Sequence, residues 1–155
     1  MQLFYNSELD ETTTTFKFSK DESRHIVKVL RKTTGDLLMI TNGKGWIFEA
    51  EVDIPNPNKC VVNVLKSSFE TPKPYTIHLV VAPTKMNDRY EWFLEKATEI
   101  GVDIITPIIC QNSERKTIKA ERFKKIIQAA MKQSLNSYLP TLEPAIHFSD
   151  FIKTP

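Results

Sequence analysis

At 155 residues, 41% apolar and 26% charged, the chain has the composition of a soluble globular protein with one ordinary domain or two small ones, which excludes disordered and fibrous classes. Its most apolar stretch, residues 76–82, is far shorter than the roughly 20 residues that cross a bilayer. MQLFYNSELDE has no basic and apolar leader, so no membrane partner and a cytoplasmic location are the default expectations. A net charge of +2 is too small to imply a polyanionic partner, so the distribution of charge carries the argument.

Residues 1–70 are rich in β-formers and turn signals. TTTTFKFS alternates, and DLLMITN, WIFEAEVDI and KCVVNVLKSSF predict three consecutive strands separated by GKG and PNPN. In WIFEAEVDI, Trp46, Phe48, Ala50, Val52 and Ile54 fall on one face and Glu49, Glu51 and Asp53 on the other, the pattern of a sheet wet on one side. A small antiparallel β-barrel is the expected closure, because it removes exposed edges.

Between the first two of these segments lies a short helix, started by the capping box Ser19 and Glu22 and predicted to stop at Gly35. Arg24, His25, Lys28, Arg31 and Lys32 fall within an arc of about 120°, with Ile26, Val27, Val29 and Leu30 opposite. Such a stripe is either a solvated face or a phosphate-facing one; Asp21 is the one acid on its arc.

TPKP, residues 71–74, reads as a linker, and from 75 to 155 the pattern changes to that of an α/β parallel-sheet domain. Tyr75 to Ala82 and Val102 to Ile109 predict strands covered on both faces. The helix between them carries a buried stripe of Tyr90, Phe93, Leu94 and Ala97, an Asp88/Glu91 cap and a stop at Gly101. A second helix is expected over about 119–137, burying Phe123, Ile126, Ile127, Ala130, Met131, Ser134 and Leu135. A short strand around Ala145 and an N-cap at Ser149 complete the pattern. Two good strands do not finish an open sheet, which predicts a chain that stops part-way through this domain.

No dinucleotide or Walker loop, zinc-protease helix, nucleophile elbow or EF-hand sequence is present. Cys60 and Cys110 read as buried structural thiols, and no metal is expected, because His25, His78 and His147 are scattered. His78 reads as a satisfied core or edge histidine. Glu91, Glu95 and Glu99 read as an exposed helix face rather than paired carboxylates. Residues 111–132 hold seven basic residues, Arg115, Lys116, Lys119, Arg122, Lys124, Lys125 and Lys132, against Glu114 and Glu121.

HIVKVLR, then PTKMNDRYEWFLEKATEIGVDIITP, then SERK, ERFKKIIQAAMKQS and YLP together resemble the successive signatures of the RsmE-type methyltransferases, over 3–152. EKATEIGVDIITP is the most specific of these strings. The resemblance implies a PUA-like RNA-binding barrel followed by a SPOUT domain that binds S-adenosyl-L-methionine in a knot, and methylation of N3 of a uridine in 16S ribosomal RNA or the small ribosomal subunit. It further implies a homodimer, and places the knot and most of the cofactor pocket beyond residue 155. Lys132-Gln133 stands where the family has Glu-Gln, and Leu135 or Asn136 where a base is frequent; this leaves a basic contact there unsupported. Gln133 is either a packing residue or a site-edge donor, with packing the favoured reading.

Ligands of open α/β sheets bind at the loops after the strands' C-terminal ends, here Pro83 to Asp88 and Gln111 to Lys116. Arg115 is the leading catalytic-site candidate, orienting uracil or a phosphate with its fork of donors. Lys85 and Arg89 are candidates for RNA backbone contacts, and Arg24, His25, Lys28, Arg31 and Lys44 for phosphate contacts on the barrel. Solvated loop charge remains the alternative for each. Two other readings of the chain stay open, a non-catalytic RNA-binding module and a flavodoxin-like domain unrelated to RNA.

Overall fold

A computed structural model describes residues 2–154. The chain divides into two compact units, Met1–Pro72 and Lys73–Pro155.

The first unit holds β1 (Leu3–Tyr5), β2 (Thr15–Lys17), α1 (Lys20–Arg24), β3 (Leu37–Thr41), β4 (Trp46–Ile54) and β5 (Val61–Phe69), and α1 runs on as a π-helical stretch over His25–Val29. Its curled sheet has the order β1-β3-β4-β5-β2 and is antiparallel except for the β1/β3 pair, which is parallel. β1 is not among the strands expected from the sequence. Its three residues are too few to show a period, and it exists by pairing with Met39, Ile40 and Thr41.

On β4 the expected inner face is buried at Phe48, Ala50 and Val52, each 0% exposed, but Ile54 is 52% exposed. A register shift between Val52 and Ile54 breaks the alternation there. These residues pack with Phe4, Leu9, Phe18, Ile26, Leu38, Ile40, Cys60 and Val62. Cys60 is the buried thiol expected, and burial pushes its ionisation up; Cys110 is only half-buried. The buried Ser23 hydroxyl accepts the Cys60 N–H at 2.8 Å and donates to the Phe18 carbonyl at 3.3 Å, fastening α1 to the strands.

α1 starts as the capping signal predicts, with the Glu22 N–H donating to the Ser19 hydroxyl at 3.4 Å. It does not run to Gly35. The wide turn closes with the Leu30 N–H on the His25 carbonyl and the Lys32 N–H on that of Ile26, and Arg31 leaves the helix in the left-handed region at φ 56°. Gly35, at φ 90°, instead turns the chain into β3, its N–H on the Val52 carbonyl. A π turn advances less rotation per residue than an α turn, and Val29, expected on the apolar side, is 63% exposed.

The second unit contains β6 (His78–Val81), α2 (Asn87–Glu99), β7 (Ile104–Ile109), α3 (Ala120–Gln133), β8 (Thr141–Leu142), β9 (Ile146–His147) and α4 (Phe148–Phe151). β7 is central and every pairing is parallel. β6 lies along one edge, while β8 and then β9 follow one another along the other, opposite Ile104–Ile105 and Ile108–Ile109. The strand expected near Ala145 is β9; β8, two residues long, was not expected. β7 is buried as predicted, whereas Leu79, Val80 and Val81 on β6 are half-covered, because β6 is an edge. His78 is an edge histidine satisfied by the Thr106 hydroxyl at 2.7 Å.

Tyr90, Leu94, Ala97, Val102, Ile105, Phe123 and Ile127 form this unit's core, with Phe93 half-buried beside it. Gly101, at φ 87°, ends α2 as predicted: its N–H reaches the Thr98 carbonyl and the Val102 N–H that of Ala97. The Asp88/Glu91 cap is absent. α2 begins at Asn87 after Met86, with no side-chain cap, so Asp88 already lies in the first turn. α3 ends at Ser134 rather than near 137, and Leu135, expected to be buried, is 41% exposed at φ 58°. Gln133, read as packing, is exposed. Ser149, expected as an N-cap, lies inside α4 after His147.

Candidate functional site: a basic cleft at the strand ends

Parallel pairing of β6 and β7 brings the C-terminal ends of both strands to one side, so the loops that follow them become neighbours. The loop after β7 is held by the Cys110 N–H donating to the Ser113 hydroxyl at 2.9 Å and the Ser113 N–H returning to the Cys110 carbonyl. The loop after β6 is turned by the Thr84 hydroxyl on the Met86 carbonyl at 2.7 Å. Arg115 then crosses between them. Its Nη2 donates to the Lys85 carbonyl at 2.8 Å, and Lys85 Nζ pairs with Glu114 Oε2 at 3.0 Å.

The result is an open cleft of about 320 Å³ lined by Lys85, Glu114, Arg115, Lys116 and Thr117. Three cations face one carboxylate. Arg115 is half-buried, and its Nε is buried with no hydrogen-bond partner among the described residues. A second depression of about 400 Å³ is bounded by Ile109, Cys110, Gln111, Lys116, His147, Phe148 and Ser149. Lys116 borders both. Sequence reasoning counted it in the basic cluster but did not single it out; its position next to Arg115, after a β-strand, was the available signal.

Lys85 and Arg115, predicted separately, therefore meet. Arg89 does not join them: it is exposed on the first turn of α2 and lines a shallow apolar depression with Asp88, Trp92 and Phe93. The other basic residues of the cluster are not all open charges. Arg122 grips Glu91 from α3 with two hydrogen bonds, Nε to Oε1 at 2.5 Å and Nη2 to Oε2 at 2.9 Å. That side-chain bond, aided by the cation's field, holds the Glu91 carboxyl below its ordinary range, and Glu91 is a helix-to-helix tie rather than part of an exposed acidic face. Glu95 and Glu99 both pair with Lys96.

In the first unit Arg24, Lys28, Arg31 and Lys44 are exposed. His25 is half-buried, with Nε2 against the Gln2 amide at 2.9 Å and its ring at the edge of Phe4. Lys44 sits on a turn built by Asn42, whose Oδ1 accepts the Lys44 N–H at 2.9 Å and whose Nδ2 donates to the Leu9 carbonyl. Among the described residues no group of three His, Cys, Asp or Glu could hold a metal ion, and no helix is long and apolar enough to cross a membrane.

Residues 71–155 match the model of an RNA methyltransferase domain, and residues 18–65 that of an RNA methyltransferase PUA domain. Ribosomal RNA small subunit methyltransferase E of Rickettsia conorii is 31% identical over 98% of this chain and 62% of its own length. A probable rRNA-methyltransferase from Porphyromonas gingivalis superposes on the whole chain with a TM-score of 0.87 and 37% identity, over 65% of that protein. The small subunit methyltransferase E of Neisseria gonorrhoeae, solved bound to S-adenosyl methionine, shares the fold at a TM-score of 0.87 and 24% identity, over 66% of its length. The chain thus spans less than two thirds of the length of each of these relatives.

Proposed function

This chain belongs to the RsmE-type family of RNA methyltransferases, and on that premise we propose that it serves in methyl transfer from S-adenosyl-L-methionine to N3 of a uridine in 16S ribosomal RNA. Within that reading residues 1–70 are a PUA-like barrel that grips RNA, 71–74 a linker, and 75–155 the first part of a SPOUT domain. The protein acts in the cytoplasm, as a homodimer, on the RNA or on the small subunit. The observation that supports this best is the meeting of the two strand-end loops in one basic cleft, through Arg115 and Lys85.

The methyl donor supplies a methyl group on a sulfonium centre. The described residues do not form a cradle for it. Lys85, Arg115 and Lys116 give their cleft a charge that opposes a sulfonium, and Gly35, Gly43, Gly45 and Gly101 all lie outside the loops after β6 and β7, where a backbone would have to close on a nucleoside. What this chain contributes is position. A target base has to leave its stack and be held for in-line attack, and its N3 has to lose a proton. Arg115, tied at Nη2 to the Lys85 carbonyl, keeps its remaining donors in a fixed plane for the arriving nucleotide. Glu114, the carboxylate lining the cleft, is engaged by Lys85 and is not placed as a free base.

On the barrel, Arg24, Lys28, Arg31 and Lys44 contact phosphates, with His25 at the margin of that surface. Such contacts position RNA without reading its sequence. The alternative, a non-catalytic RNA-binding module, shares the RNA test. Reversing Arg24→Glu with Arg31→Glu weakens binding of a 16S fragment, measured by fluorescence anisotropy, by at least about tenfold at low salt. Unchanged affinity would remove the barrel from the RNA interface.

A further inference from the structure

Arg115 holds a donor that the protein itself leaves unmatched. Its Nη2 is taken by the Lys85 carbonyl, whereas its Nε is buried without an acceptor. Buried donors of this kind are rare in folded proteins, because lost hydration is not recovered. The neighbouring carboxylate does not satisfy it: Glu114 Oε2 is engaged with Lys85 Nζ at 3.0 Å, with both side chains largely in solvent. Lys116 adds a third cation and Thr117 a hydroxyl, and the cleft of about 320 Å³ has room for a polyatomic anion.

We propose that this cleft is a clasp for one phosphodiester of the RNA, its non-bridging oxygens accepting from the guanidinium donors of Arg115 that the Lys85 carbonyl does not take, while the sealed Nε–H reports on their engagement. Glu114 acts as an internal stand-in anion that holds Lys85 until the phosphate displaces it. The proposal rests on the reading that the substrate is RNA, and it names the backbone rather than the uracil as what Arg115 holds. Two observations favour phosphate over base. Three cations against one carboxylate exceed what a neutral carbonyl requires, and the lining of Lys, Glu, Arg, Lys and Thr offers no aromatic surface on which a base would stack.

The test follows the Arg115 Nε–H directly, by ¹H–¹⁵N spectra of the whole chain, with the signal assigned from its absence in Arg115→Lys. Adding the dinucleotide UpU moves that signal and slows its exchange with solvent, whereas uridine nucleoside leaves it in place. Arg115→Lys weakens UpU binding at least about tenfold, because an ammonium lacks the fork. Glu114→Gln strengthens it about two- to fivefold, since the competing anion is gone. A response to uridine equal to that of UpU overturns the phosphodiester assignment, as does UpU binding with a silent Arg115 signal. If a 16S fragment fails to bind while inorganic phosphate still moves the signal, the RNA reading falls and the anion clasp stands. If the fragment binds and Arg115 is silent, the clasp falls and the RNA reading stands.

Discussion

Among the described residues two outside glycine hold the left-handed conformation, Arg31 and Leu135, and each ends a helical segment. At Leu135 the bonding is that of a Schellman end: the Leu135 N–H reaches the Lys132 carbonyl and the Asn136 N–H that of Met131. The same arrangement closes α2 with Gly101, which has no Cβ to strain. Leu135→Gly relieves that strain but gives up a side chain that is more covered than open at 41% exposed, so the two effects offset and stability, read from the urea midpoint, changes by no more than about 1 kcal/mol. A larger fall would show that packing of the Leu135 side chain outweighs its backbone strain. Tyr90 presents the opposite case. Its ring is in the core, its hydroxyl donates to the Val81 carbonyl at 3.1 Å, and burial pushes its ionisation up to about 12 from 10.0. Because the folded value is the higher, this contribution is intact below pH 10 and is lost as pH rises towards 12. Tyr90→Phe costs about 1 kcal/mol at neutral pH and shows a shallower alkaline decline of stability. A decline as steep as that of the native chain would remove Tyr90 from the linkage.

At the scale of elements, α2 and α3 share an apolar seam of Leu94, Tyr90, Phe123 and Ile127, rimmed by the Glu91–Arg122 fork. Glu91 has its carboxyl depressed first by the hydrogen bond from Arg122, which outweighs the opposing effect of burial, with the charges of Arg122 and Lys119 adding less. A depressed carboxylate contributes above its unfolded value near 4.5 and loses that contribution as pH falls through the folded value. Denaturant midpoints taken between pH 7 and 3 should accordingly fall less in Glu91→Gln than in the native chain. Equal slopes in the two proteins would mean that the fork carries no linkage. The helices were legible because Tyr90, Leu94 and Ala97, and Phe123, Ile127 and Ala130, recur at helical spacing across enough turns to show the period. β1, β8 and the π-helical stretch were not. Strands of two or three residues have no period of their own, and a widened turn depends on what packs around Ile26 rather than on local propensity.

For the molecule as a whole, each unit carries its own core, and the candidate RNA contacts are divided between them: Arg24, Lys28, Arg31 and Lys44 in the first, Lys85 and Arg115 in the second. Titration calorimetry of the 155-residue chain with S-adenosyl-L-methionine should give no saturable heat, whereas tight binding would place a cradle among the residues described and overturn the reading of the cleft as an RNA-side site.

The sequence alone determined the two regimes on either side of TPKP, the parallel crossover through EKATEIGVDIITP and the family to which it belongs, because these are written in local periodicity, caps and contiguous strings. It also placed Lys85 and Arg115 in the loops that follow β6 and β7. Only the tertiary structure decided that Lys85 and Arg115 share one cleft, that Arg122 is spent on Glu91 while Lys116 faces the cleft, and that Arg89 looks elsewhere. Those outcomes depend on strand pairing and helix packing between residues some 30 positions apart, a distance over which side-chain chemistry carries no local sequence signal.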